Sequence, residues 1–173
     1  LTNATLTGVI SKNISVLDEE GNTVKQSLLP TDYFIQGGYL FGPDVNLTDA
    51  DLTDTILSNA KLTNAILTNA NLTNATLTNT ILSNATLDGV RAIDISVSDN
   101  KNPILPDDYF IKYGIIFGPK VNLKEIVLRD KNLQPDDDRT RIDLSFANFS
   151  DATLIDFDFR GHTSLRVNLS NAD

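Results

Sequence analysis

Few side chains in this chain combine the residue types and the spacing that catalysis requires. His162 is the only histidine among 173 residues, and it stands two positions before Ser164. A serine nucleophile needs a base that the fold holds within hydrogen-bond distance, and closeness in the sequence does not supply that geometry. We therefore interpret His162, Thr163 and Ser164 as a structural segment, and we predict no catalytic residue.

Acidic residues form the other candidate sites. The run of three aspartates at 136–138 could hold Ca²⁺ through carboxylate oxygens, but an arginine follows it directly, and such a run is typical of a solvated loop. Asp156 and Asp158 flank Phe157, as polar residues beside an inward side chain should, and nothing marks them as an acid/base pair. The chain also lacks cysteine and a glycine-rich phosphate loop. We predict no metal site and no cofactor.

The most regular feature of the sequence is a leucine at every fifth position. The run 56–87 reads ILSNAKLTNAILTNANLTNATLTNTILSNATL. A helix places apolar residues every 3.6 positions and a strand every 2, so neither accounts for this period. A chain that turns a corner every five residues does account for it, because each short side can direct its leucine inward. The predicted inward centres are Leu47, Leu52, Leu57, Leu62, Leu67, Leu72, Leu77, Leu82, Leu87, Leu144, Phe149, Leu154 and Phe159, with Leu169 continuing the series.

The residues around each leucine follow a pattern as well. Ala or Thr stands two positions before almost every centre, and Asn or Asp stands two positions after it. Units such as AKLTN, AILTN, ANLTN and ATLTN, over 60–79, resemble the pentapeptide repeat family, in a bacterial, cyanobacterial-type form with hairpin interruptions. The resemblance implies an all-β fold, a right-handed quadrilateral β-helix with four units or about twenty residues per coil and about seven to eight coils.

The predicted organisation is one solenoid domain over residues 1–173. Interruptions of the period are expected at 10–46 and 91–122, and a charged loop is expected at 134–143. Segments of the two interruptions repeat each other at an offset of 76 residues. LPTDYFI (29–35) is repeated as LPDDYFI, and FGPDVNL (41–47) is repeated as FGPKVNL. The chain therefore carries a duplicated module.

Each interruption is predicted to contain a β-hairpin. In the first, ISVL and TVKQ flank the turn-forming DEEGN over 14–26, and in the second SDNKNP (98–103) forms the turn. Leu47 and Leu87 are forty residues apart, which is two whole coils. We therefore expect both hairpins to leave the same side of the solenoid.

Eight of the twelve aromatic residues lie in the segments that return from these hairpins. Their first interpretation is packing against the solenoid wall. The alternative is a partner-binding surface, since aromatic residues are enriched in the cores of interfaces. The candidate interaction surface is Tyr33, Phe34, Tyr39, Phe41, Tyr109, Phe110, Tyr113 and Phe117.

Charge restricts the possible partners. The net charge is −9, and only one base, Lys61, and no acid occurs over 55–87. Direct nucleic-acid binding is not expected, because it needs clustered Lys and Arg. No apolar stretch reaches the length of a membrane span. A protein partner is expected, and end-to-end association or a flanking domain is a further option because capping elements are not evident. The location is expected to be cytoplasmic, or exported to a periplasm or thylakoid lumen.

The function predicted from these features is a non-enzymatic structural or protein-interaction scaffold. Two alternatives stay open. One is a DNA mimic that inhibits a topoisomerase such as gyrase, although the run 55–87 has no acid to imitate phosphates. The other is a flat Thr/Ser/Asn wall that binds glycan or ice, although threonine follows leucine on every side and singles out no face.

Overall fold

The computed structural model describes residues 8–9, 29–98, 101–129, 143–157 and 166–173. Within these ranges the regular structure consists of six short strands and many single β-bridges, and no helix occurs. Two antiparallel hairpins and one parallel pair account for the strands. The strands are β1 (Phe34–Gln36), β2 (Tyr39–Phe41), β3 (Phe110–Lys112), β4 (Ile115–Phe117), β5 (Val127–Arg129) and β6 (Thr153–Ile155).

The backbone turns a corner once in each five-residue unit. The residue two positions after the leucine has a positive φ, for example 55° at Asp49 and 57° at Asn69. The turn is closed by a hydrogen bond from the N–H of Ala50 to the carbonyl oxygen of Leu47, at 3.1 Å. A type II turn requires this left-handed conformation at its third residue, and Asn and Asp tolerate it better than other side chains do. The corner thus explains why Asn or Asp stands at this position.

Successive coils are joined by backbone hydrogen bonds twenty residues apart. Parallel bridges pair Asn46 with Ile66 and Ile66 with Thr86. The N–H of Leu67 donates to the oxygen of Thr86, and the N–H of Ile66 donates to the oxygen of Val45, both at 2.9 Å. Each regular coil therefore contains four units and four corners. One side can be followed through six levels within the described ranges, at Asp51, Asn71, Arg91, Asn122, Asn148 and Asn168.

The core lies on the axis of the coils. The nine centres from Leu47 to Leu87 are fully buried, as are Leu144 and Phe149. Leu154 is half-buried and Leu169 is 46% exposed, while the predicted centre Phe159 lies outside the described residues. The small residues two positions before most centres are buried too, as Ala65 and Val45 are.

Asn and Asp side chains stack along the corners. The Nδ2 of Asn64 donates to the Oδ1 of Asp44 at 3.0 Å, and Asn69 donates to Asp49 at 3.1 Å. At the next level below Asn69 the corner residue is Gly89, where a Cβ would lie 2.2 Å from the Oδ1 of Asn69. The glycine therefore leaves room for the amide that stands over it.

The second interruption begins later than predicted. Arg91 pairs with Asn71 and Ser96 pairs with Thr76 at the regular spacing, so the segment expected to be one arm of a hairpin continues the coil. Ile104 then pairs with Ile81 at a spacing of 23 residues, so only three extra residues are accommodated before it. The prediction of a hairpin around SDNKNP is therefore wrong. The first predicted hairpin, at 14–26, lies outside the described residues.

The observed hairpins lie in the return segments instead. β1 pairs with β2 and β3 pairs with β4, each across a two-residue turn. Most of the predicted charged loop 134–143 lies outside the described residues. Asn122 and Asn148 pair across it at a spacing of 26, which is six residues more than one coil.

The return segments of the two modules do not lie on the same side of the solenoid. Gly8 donates to the oxygen of Asp44, and its counterpart Gly89 donates to Lys120. Asp44 stands on the corner that continues as Asn64, whereas Gly89 stands on the corner of Asn69, one side further along the chain. The return segments lie one side apart because Asp44 and Gly89 are 45 residues apart, which is two coils and one further unit. The side from which the hairpin at 14–26 leaves stays a prediction, because that segment lies outside the described residues.

Replacing one axial leucine should destabilise the fold far more than replacing its exposed neighbour. Leu67→Ala is expected to lower the free energy of unfolding by about 2 to 5 kcal/mol, because it opens a cavity in the core. Ile66→Ala removes a similar side chain from the outer wall and should cost less than about 1 kcal/mol. Urea unfolding followed by circular dichroism measures both, and equal costs would contradict the inward assignment.

Candidate functional site

The two return segments form the same local structure. In the first, the N–H of Tyr33 donates to the oxygen of Pro30 at 3.2 Å across a turn in which Asp32 has a φ of 74°. In the second, Tyr109 donates to Pro106 at 3.3 Å. The shared sequence P-x-D-Y is therefore a tight turn that aims the tyrosine ring at the solenoid.

Each tyrosine closes on the Gly-Pro pair of its own module. A Cβ built on Gly118 would lie 2.3 Å from the Cδ1 of Tyr109, so the ring covers the glycine directly. The Tyr109 hydroxyl also donates to the carbonyl oxygen of Pro119 at 2.9 Å. Tyr33 makes the equivalent bond to Pro43 at 2.8 Å. We call this arrangement the tyrosine clamp; it holds the base of each hairpin against the coil.

Stacked phenylalanines complete the base of each hairpin. The ring centroids of Phe34 and Phe41 are 4.9 Å apart, and those of Phe110 and Phe117 are 5.4 Å apart. Such offset aromatic pairs add to the stabilisation that burial provides.

The eight aromatic residues of the candidate interaction surface differ in how far they are buried. Four of its eight members are core residues and offer no surface to a partner: Phe41, Tyr109, Phe110 and Phe117. Tyr33, Phe34 and Tyr39 are half-buried against the same core. Tyr113 is the exposed member, at 46%. The sequence could not separate these roles, because strands favour aromatic residues on faces that pack on a core and on faces that meet solvent alike.

Burial also sets the protonation of the clamp. It raises the pKa of the Tyr109 phenol far above its usual value, and the carboxylates of Asp88 and two further aspartates raise the pKa further. Burial, followed by the charge of Asp44, raises the pKa of Tyr33 as well. Both phenols therefore stay protonated as donors in the folded protein at neutral pH.

Large aliphatic side chains stand at outward positions of the walls. The residue just before each centre faces solvent, and it is Asn, Thr or Asp on many levels. Ile56 is 61% exposed and Ile104 is 56% exposed at such positions, and Val127 is 61% exposed on β5. Ile104 is bridged to Ile81 on the level above, so two isoleucines stand side by side on one wall.

Two grooves are formed where the hairpins meet the coils. The first has a volume of about 310 Å³ and lies between the turn at Asp32 and the wall at Ile56. An ion pair between Lys61 and Asp32, at 2.9 Å, lies at this groove. The second has a volume of about 290 Å³ and lies between the hairpin tip at Tyr113 and the wall at Val127.

The described residues hold no cluster of metal-ligating side chains and no helix that could cross a membrane. Of the residues considered for chemistry, His162, Ser164, Asp158 and the aspartates 136–138 lie outside the described ranges. Asp156 is an exposed corner residue with a φ of 54°. Phe157 beside it packs against Phe149, with ring centroids 6.2 Å apart.

Comparison with known proteins identifies the repeat. Residues 55–91 match the family model of pentapeptide repeats, in eight copies. This part of the chain therefore consists of pentapeptide repeats, as the units over 60–79 predicted. The all-β structure of the described residues agrees with the β-helix that this family implies. A search of curated proteins found no significant match.

Solved structures of pentapeptide repeat proteins are similar to the chain at low identity. A protein of the Arabidopsis thaliana thylakoid lumen is 20% identical with a TM-score of 0.30, and the match covers 74% of this chain and 53% of that one. HetL, which is involved in heterocyst differentiation regulation in the cyanobacterium Nostoc, is 23% identical with a TM-score of 0.31, covering 75% and 59%.

A third similar structure is QnrB1, a plasmid-mediated fluoroquinolone resistance protein. It is 14% identical with a TM-score of 0.22, and the match covers 75% of this chain and 72% of that one. The chain spans little more than half the length of the first two structures. Scores and identities this low carry no argument about what the chain binds.

The Tyr109 clamp predicts a specific pH dependence. Because the phenol pKa is higher in the folded protein than in the unfolded chain, its stabilisation is complete below pH ~10 and is lost as pH rises above it. Tyr109→Phe should cost about 1 kcal/mol at pH 8, through the lost hydrogen bond to Pro119. At pH 11 the stability advantage of the wild type should shrink by about 1 kcal/mol. Urea unfolding at both pH values measures it, and an unchanged difference would show that the phenol is not buried.

Proposed function

We propose that this chain is a non-enzymatic scaffold that binds other proteins through the exposed apolar residues of its walls and hairpin tips. The observation that carries the proposal is that Ile56, Ile104 and Val127 are each more than half exposed at outward positions. Other levels fill these positions with Asn, Thr or Asp, or with the less exposed Ile66 and Ile81. The exposed surface of an isoleucine side chain contributes no hydrophobic stabilisation to the monomer. In a complex the same side chain would lie in the apolar centre of the contact.

The regularity of the coils supports this proposal. Backbone bonds between levels hold the backbone of each wall residue at a fixed height, so binding carries no cost of ordering the backbone. Asn71 illustrates the rigidity, since its Oδ1 accepts bonds from both the N–H and the hydroxyl of Thr73, at 3.1 and 2.6 Å. A pre-organised flat surface suits recognition of a protein better than enclosure of a small substrate.

Right-handed coiling and a total of seven to eight coils belong to this proposal as the form expected for the family. A cytoplasmic or exported location and end-to-end association stay predictions. The alternative of a glycan- or ice-binding wall is weakened by the exposed isoleucines, which interrupt the rows of Thr and Asn on the sides that carry them.

The scaffold proposal predicts that partner recovery depends on the wall isoleucines. The double variant Ile56→Thr and Ile104→Thr introduces threonine at both positions. Threonine is the residue that the next coil carries beside Ile56, since Ile56 is bridged to Thr76. Compared with wild-type bait, the double variant should recover at least one protein from a lysate of the source organism roughly tenfold less, because losing anchor residues costs more than 1 kcal/mol. Quantitative mass spectrometry of the bound fraction gives the ratio.

Ile66→Thr is the matched control, since it makes the same change on another side of the coil. Circular dichroism and the urea midpoint should be unchanged in all three proteins. Identical recovery by the wild type and the double variant, with both folded, would contradict binding through these walls.

The charge distribution argues against the alternative of a DNA mimic that inhibits gyrase. Asp54 and Asp94 stand on the same corner, but the coil 64–83 between them carries no charged residue. DNA presents a charge about every 1.7 Å, whereas an uncharged coil leaves a gap of two levels, or roughly 9.6 Å. We expect no inhibition of gyrase supercoiling at a large excess of the chain. Dose-dependent inhibition would restore the DNA-mimic function.

A further inference from the structure

The tip of the second hairpin contains a strained tyrosine. Tyr113 has a φ of 55° and is followed by Gly114 with a φ of 70°. Positive φ at both central residues is the pattern of a type I′ turn, which favours Gly, Asn and Asp. A bulky side chain in this conformation is unfavourable, because its Cβ crowds the following carbonyl oxygen.

The first hairpin shows that folding does not require a tyrosine here. Its tip carries Gly37 and Gly38, with φ values of 57° and 79°. The flanking pairs correspond, since Gln36 pairs with Tyr39 in the first hairpin and Lys112 pairs with Ile115 in the second. The same turn therefore closes with glycine in one copy of the module and with an aromatic residue in the other. Strain of this kind is found preferentially at functional sites.

The tyrosine ring forms one edge of the second groove. It is 46% exposed, and the Nζ of Lys112 lies 5.6 Å from its centroid. Ile93 lines the groove from the level above, and Val127 lines it from the level below. With about 290 Å³ the groove admits one or two side chains, whereas drug-sized ligands occupy larger pockets.

Backbone bonds fix the hairpin tip against the coil. The N–H of Ile95 donates to the oxygen of Gly114 at 2.7 Å, and the N–H of Ile116 donates to the oxygen of Ala92 at 3.0 Å. Ile115 and Ile116 are buried below the tip. These backbone bonds beside Tyr113 hold the tip against the coil, which makes the groove pre-formed.

The rim of the groove is acidic. Asp94 and Glu125 line it at successive levels of one corner, and both are exposed with positive φ. Glu125 forms an ion pair with Lys124 at 3.1 Å. The same corner carries Asp151 below Glu125 and, beyond the uncharged Asn74, Asp54 above. The net charge of the chain is −9. Lys124 also lies 3.7 Å from Asp151, so Asp94 is the rim carboxylate outside this ion-pair network, and its charge favours a cation beside it.

We propose that this groove binds an extended peptide segment of a partner protein. One large apolar side chain of the segment packs between Tyr113 and Val127, and an adjacent Lys or Arg pairs with Asp94. The inference rests on the scaffold function proposed above and names the ligand class of one of its contact sites, at Val127 and the second hairpin tip, apart from the walls at Ile56 and Ile104. Apolar burial supplies the affinity, and the acidic rim supplies the selectivity for basic sequences.

Selection from a phage-displayed library of random heptapeptides on the immobilised chain tests the proposal. Wild-type protein should enrich peptides with a large apolar residue next to Lys or Arg. A synthetic fluorescent peptide of the enriched sequence should bind in a polarisation assay. Tyr113→Gly should weaken it by roughly tenfold or more, and Asp94→Asn should weaken it less and reduce its dependence on salt.

Two controls separate binding from folding. Ile66→Thr alters another side of the coil and should leave peptide affinity unchanged. Tyr113→Gly should raise the urea midpoint or leave it unchanged, because glycine relieves the turn while the backbone bonds of Gly114 and Ile116 stay. A lower midpoint would show that Tyr113 serves stability and would overturn the proposal.

The remaining outcomes also decide it. No enrichment, enrichment of acidic peptides, or equal binding by Tyr113→Gly would overturn the groove assignment. Self-association that Tyr113→Gly abolishes, measured by analytical ultracentrifugation, would make a second copy the occupant and would overturn it too. Failure of the groove leaves the wall isoleucines untouched, so lysate recovery with the Ile56 and Ile104 variant tests the scaffold function separately.

Discussion

The structure depends on one left-handed residue in every five. At the corner after each leucine, a positive φ redirects the chain, so that the next leucine again points to the axis. Asn and Asp suit this conformation, and their side chains also bond to the corner residue twenty positions away, as Asn79 does to Asn59 at 2.9 Å. One residue choice therefore sets the turn and supports the stacking of coils. The buried leucines and the ladder of backbone bonds both follow from it.

The duplicated module shows how the solenoid accommodates departures from that rule. Both copies interrupt the period with a hairpin, and both anchor it by a tyrosine that covers a glycine and bonds to the following proline. What differs is the tip, where Gly37 is replaced by Tyr113. Conserving the anchor while changing the tip is how a structural insertion can acquire a contact site without disturbing the coils that carry it.

The period of five was sufficient to predict the axis of the fold, because burial requires leucine at the same phase in every unit. The period was insufficient where residues other than leucine occupy the inward centres. Ala92 and Val97 replace leucine as centres after Leu87, so the segment around Ser96 was assigned to a hairpin although it continues the coil. For the aromatic residues the sequence left wall packing and a partner-binding surface open, and Phe41 and Phe117 lie in the core because their hairpins fold back onto it. Tyr113 is exposed because it lies in the turn at the hairpin tip. That turn is identified by its backbone angles, which the sequence does not show.

Amide hydrogen exchange measured residue by residue by NMR tests the corner-and-ladder arrangement most directly. In the unit 64–68, Asn64, Ile66 and Leu67 donate to neighbouring coils and Ala65 donates to Leu62, while Thr68 is not among the backbone donors. The structure predicts protection that repeats with a period of five, with a fast-exchanging amide just after the leucine at Thr63 and Thr68. Protection that alternates every second residue, or that is uniform along 56–87, would contradict it.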